Sequence, residues 1–66
     1  MLKFTNATDA LKGEPLYINP TYIAAVFEVA TNGGSLKTII YGGPTGVTWE
    51  VEEGLSTVLA IIGGYN

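Results

Sequence analysis

The chain has no cysteine, no histidine and no arginine, and only 14% of its 66 residues are charged. Without cysteine no disulfide can staple a small core, and without cysteine or histidine the usual tetrahedral zinc sets cannot be assembled. The missing histidine also removes the one side chain whose ordinary pKa puts a general base near neutrality. Ser35 and Ser56 sit in no nucleophile-elbow context. The chain is therefore read as a non-enzyme, with no catalytic, cofactor-binding or metal-binding residues expected. Long apolar runs are missing too: Val58 to Ile62 is far short of the roughly 20 residues that span a bilayer, so no membrane partner is expected.

Positive charge is the scarcest resource after these. Three lysines against six acidic residues give a net charge of −3 and a pI near 4.4, the reverse of the footprint that binds a phosphate backbone. Nucleic acid is accordingly not expected as a partner. The start, Met1-Leu2-Lys3-Phe4-Thr5-Asn6, offers no basic region followed by an apolar core, so it does not read as a secretory signal, and a cytoplasmic location is the expectation. Asn6-Ala7-Thr8 fits a glycosylation sequon but has no secretory context to use it.

What is present is apolar. Hydrophobic residues make up 47% of the chain, and with so few charges some of that surface must face outward on a monomer. A domain of this size buries only roughly 60% of the surface its unfolded chain exposes, so it needs a disulfide, a metal or oligomerisation to help it. The first two being excluded by composition, a homo-oligomer is the expected form, assembled from a single domain over residues 1–66.

The central stretch is Tyr17 to Val29, an apolar run broken once at Asn19-Pro20. Proline holds its own φ near −65° and biases the residue before it away from helix, so the chain bends there, with the Asn19 side chain mimicking a turn. Ile23 to Thr31 is rich in β-branched and aromatic residues and reads as a strand, apolar on both faces. Before the bend, Met1 to Thr5 alternates as a half-buried strand with Lys3 outward. Asn6 to Pro15 is a polar loop with a helical turn over Ala10 to Lys12, and Leu16 to Ile18 forms a short second strand. After the organising strand, Asn32-Gly33-Gly34-Ser35 is a strong hairpin signal. Leu36 to Tyr41 returns with Leu36, Thr38 and Ile40 inward, and Val47 to Val51 alternates cleanly, with Val47, Trp49 and Val51 inward. Glu52-Glu53 then opens a helix whose positive end favours acidic residues, with a stripe of Leu55, Val58, Leu59 and Ile62 and a stop at Gly63-Gly64. The expected fold is mainly β with one C-terminal α-helix (α+β). Five short antiparallel strands make a bent sheet or partial barrel, and the helix covers residues 53–62.

In this order of features the chain resembles the FlbD-like (SwrD) family of small proteins from bacterial flagellar operons. The likeness rests on Met1-Leu2 with Thr5, then Ile18-Asn19-Pro20 followed by Ile23 and Val26, and Thr38 in the returning strand. It continues through a glycine-containing turn before Val47 to Val51, and Glu52-Glu53 leading into a helix with Val58 and Ile62. It differs from that family in the uncharged helix Leu55 to Gly64 and in the enlarged Asn6 to Pro15 and Gly42 to Gly46 segments. The resemblance implies a regulatory or accessory protein with no catalytic residues to carry over. A phage-encoded or mobile-element relative of the family would read the same way.

Three constellations remain. Glu50, Glu52 and Glu53 form the acidic cluster, too few oxygens for a hard-cation loop, and read as a solvated strand edge and a helix start. Gly42-Gly43-Pro44-Thr45-Gly46 lacks the lysine and following helix of a phosphate cradle and reads as a turn. Trp49 with Tyr17, Tyr22, Tyr41 and Tyr65 could stack bases as in an oligonucleotide-binding or Sm-like small barrel, the alternative function. Core packing for Trp49 and interface anchoring for the tyrosines need no basic track. The outward apolar set Tyr22, Val26, Ile39 and Tyr41 is the expected interface, one patch on adjacent strands.

Overall fold

The structure, a computed structural model, describes residues 1–64, so Tyr65 lies outside the described residues. The fold is mainly β with one C-terminal helix. Its elements are β1 (Leu2–Thr5), β2 (Pro15–Ile18), β3 (Ile23–Ala30), β4 (Leu36–Gly42), β5 (Val47–Val51) and α1 (Leu55–Gly64). They form two antiparallel sheets, β1-β2 and β3-β4-β5, that do not close into a barrel.

In the smaller sheet Leu2 lies opposite Ile18 and Phe4 opposite Leu16, so the alternation read from Met1 to Thr5 turns these four inward. Phe4 and Ile18 are buried completely or nearly so. The helical turn in the connecting loop covers Asp9–Leu11, one residue earlier than its expected place. It starts early because the Asn6 side chain accepts from the Thr8 N–H, tightening the chain before Asp9. The bend after β2 forms as the sequence requires. Asn19 Oδ1 accepts from both the backbone N–H and the hydroxyl of Thr21, at 3.1 and 3.0 Å, while Pro20 opens a short 3₁₀ turn.

β1 also ties the two sheets together. Asn6 makes an isolated antiparallel bridge with Val51; the Glu52 N–H donates to the Thr5 carbonyl and the Ala7 N–H to that of Glu50, each at 2.9 Å. The core lies between the sheets and the helix: Phe4, Ile18, Ile40, Val51 and Val58, flanked by partly buried Leu16, Val26, Trp49 and Ile61 among others.

The helix departs from its expected limits, running two residues later at both ends. The Gly54 carbonyl accepts from the Val58 N–H and starts it, because Glu52 and Glu53 are committed to Thr5 instead of the first turn. Gly63 and Gly64 lie inside the last turn, not beyond it. Val58 is its buried residue, Leu55, Ile61 and Ile62 beside it are partly buried, and Leu59 is exposed. A helix with aliphatic residues on most sides has no sequence signal for its phase. Once Val58 is seated in the core, Leu59 stands about 100° round the axis and faces away from it.

Candidate functional site

The four residues expected to share one outward patch are split by the strand register. Ala30 pairs with Leu36, and the ladder runs back through Glu28 opposite Thr38, Phe27 opposite Ile39, Val26 opposite Ile40 and Ala25 opposite Tyr41. Directly opposed residues share a face. Val26 therefore points inward with Ile40 and packs on the core, so it leaves the set. Ile39 and Tyr41 do point outward, but their neighbours are Phe27, Val29 and Ala25 on β3. Tyr22 lies ahead of β3, half exposed, at the margin of the sheet.

The outer face is thus built from Ala25, Phe27 and Val29 on β3 with Ile39 and Tyr41 on β4. Phe27, Val29 and Tyr41 are 40%, 39% and 38% exposed, and Ile39 in their midst is 8% exposed. Ile39 owes its burial to its place on the central strand, hemmed by Phe27 on one side and Glu50 on the other. The face is graded. On the β5 side it is polar, with Thr48, Glu50 and an ion pair of 3.2 Å between Lys37 Nζ and Glu50 Oε1. Both partners of that pair are partly exposed, which limits it to about 0–1 kcal/mol. On the β3 side no outward residue is charged.

Sequence reasoning missed Phe27 and Val29. Because both faces of β3 are apolar, alternation gives no sign of which is inner. The signal that finds them is the hairpin: Thr38 and Ile40 read inward, and counting back round the Thr31–Ser35 connection carries that phase to Glu28 and Val26.

On the inner face at the opposite end of the sheet lies a cavity of about 270 Å³ lined by Tyr22, Gly42, Gly43, Thr45, Val47 and Trp49. The six-membered ring of Trp49 covers Gly42 so closely that a Cβ there would sit 2.7 Å from two ring carbons. No charged side chain lines this cavity, whose polar side-chain groups are the Tyr22 and Thr45 hydroxyls and the Trp49 ring N–H.

The acidic cluster is dispersed. Glu50 is held by Lys37, Glu52 is exposed, and Glu53 accepts from the Thr5 N–H at 2.9 Å and from the Thr5 hydroxyl at 2.8 Å. Partial burial alone would raise the Glu53 pKa; the hydrogen bonds from Thr5, and a weaker one from its own backbone N–H, outweigh it and hold the carboxyl below its ordinary value. Among the described residues no three histidine, cysteine, aspartate or glutamate side chains converge as a metal set. Among them, too, no helix is long and apolar enough to cross a membrane. No family model, curated protein or solved structure matches this chain.

Proposed function

We propose that this protein is a small non-enzymatic interaction module that self-associates through the outer face of β3-β4-β5 and acts by protein contact. The carrying observation is the continuous outward set Ala25, Phe27, Val29, Ile39 and Tyr41, apolar and, apart from Ile39 in its midst, exposed among the described residues of a domain too small to forgo burying it. Phe27 and Tyr41 are the large anchors that protein interfaces favour. The FlbD-like resemblance, with its implied accessory role and absence of catalytic residues, supports the same reading. Light scattering across a dilution series tests it: the natural chain should be a multimer, and Phe27→Asp or Tyr41→Glu should shift it to monomer with its circular dichroism unchanged. A natural chain that stays monomeric at every concentration would overturn self-association. Retention on single-stranded oligonucleotides at physiological salt would favour the small-barrel alternative over it.

A further inference from the structure

The sheet edges on β2 and β3 are unlike. β2 is four residues long and opens with Pro15, a residue that cannot donate to a neighbouring strand. β3 is eight residues long and contains neither proline nor lysine, and its single irregularity lies at its root, between Ile23 and Ala25. Among the described residues no backbone hydrogen bond reaches the outer edge of Ala24–Ala30, and six of these seven residues, all but Val26, are exposed. Such an edge is a template for one more strand.

We propose that β3 pairs edge to edge with β3 of a second copy, antiparallel about a two-fold axis at Phe27, so that two three-stranded sheets become one of six strands. This rests on the self-association read above but places its contact at the β3 edge, so the pairing extends the apolar outer face across both copies and leaves that face open. The β3 sequence suits the arrangement because its residue sizes run nearly the same in both directions. With the axis at Phe27, that ring meets its own copy on the outer face. Ala25 then lies opposite the partner's Val29, Val26 opposite the partner's Glu28, and Ala24 opposite the partner's Ala30. Small residues meet at the ends and aromatic rings at the centre, and each Glu28 carboxylate is kept from its like-charged copy. A two-fold axis normal to the sheet also continues outer face into outer face. The apolar side of the graded face, which is the β3 side, thereby becomes the middle of the joined sheet. A single-residue slip would set outer side chains against inner ones, and a shift of the axis to Glu28 would set the two Glu28 carboxylates opposite each other.

Cross-linking with single-cysteine variants tests the pairing, since the natural chain has no cysteine to give a background. Ala24→Cys and Ala30→Cys are made separately; both positions are exposed. Treated with a short bis-maleimide, a mixture of the two should yield several-fold more covalent dimer than either alone. In the proposed dimer like positions stand about 20 Å apart, six residues along a strand. If each variant cross-links with itself as well as the mixture does, or if the mixture does not cross-link while light scattering still shows a dimer, the edge pairing is wrong and face-to-face association stands. A chain that is monomeric throughout removes both.

Discussion

The β3-β4 hairpin is one continuous ladder with two unlike halves. At its root, Val26 and Ile40 face the core, Ile40 is completely buried, and Trp49 covers Gly42. On the same inward-facing side at its tip, Ala30 is exposed, as is Leu36 opposite it, at 64%. Among the described residues nothing buries the inward-facing pair at the tip. The same backbone pairing and much the same residue types run through both halves of this side, so strand propensity does not separate them; packing on the core of Phe4, Ile18, Val51 and Val58 does, and it includes Val26 and Ile40 but not Ala30 and Leu36. The root is a piece of core, and the tip is a piece of surface with core composition.

Substitutions along the hairpin can sharpen or break that contrast. The largest effect should come at the root: Ile40→Ala should cost about 2–5 kcal/mol in urea unfolding of the dilute chain, as other large-to-small core changes do. Gly42→Ala comes next. Its new methyl meets the Trp49 ring at 2.7 Å and Val47 Cγ1 at 3.1 Å. Overpacking of this kind costs about 1–3 kcal/mol. Thr5→Val, outside the hairpin, removes the hydroxyl from Glu53 but leaves the backbone N–H bond, and should cost about 0.5–1.5 kcal/mol. At the tip, Leu36→Ala should change the stability of the dilute chain by less than about 0.5 kcal/mol. A loss at Leu36 equal to that at Ile40 would mean that the two halves share one core after all.

The Glu53 contact adds a pH dependence with a definite sign. Its carboxyl is held below the ordinary value in the folded chain, so the unfolded chain binds the proton more readily. The stabilisation is therefore complete above the ordinary glutamate pKa and declines as pH falls through the lowered folded value. Unfolding of Glu53→Gln should lack this acid-side component while keeping the rest of the profile. An unchanged profile would show that Thr5 does not favour the charged form.

Much of this architecture was legible in the sequence, for reasons that also explain the failures. Val47 to Val51 alternates without ambiguity, and the structure turns Trp49 and Val51 onto the core. The Asn19-Pro20 bend is local chemistry and forms as read. The position of β3 is legible in its residues and its phase is not, because a strand apolar on both faces carries no face label of its own; the label resides in its partner. The helix repeats the lesson: Leu59 and Ile61 are equally apolar, and only the position of Val58 against Phe4 and Ile40 in the core decides which of them is covered. The commitment of Glu53 to Thr5, 48 residues away, lies beyond any local pattern.

That long tie has a kinetic side. The hairpin of β3 and β4 closes over a short connection and β1 pairs with the nearby β2, whereas β1 is tied to the larger sheet when Asn6 meets Val51 and Thr5 meets Glu53. Loop-closure entropy makes such distant pairings slow relative to local ones. Any β3-β4-β5 sheet formed in the interval before that joining has the β3 edge and both apolar faces bare. Protein concentration during refolding should therefore govern yield, and whether chains that meet in that interval form an ordered assembly or an aggregate depends on whether β3 finds its partner before β1 finds β5.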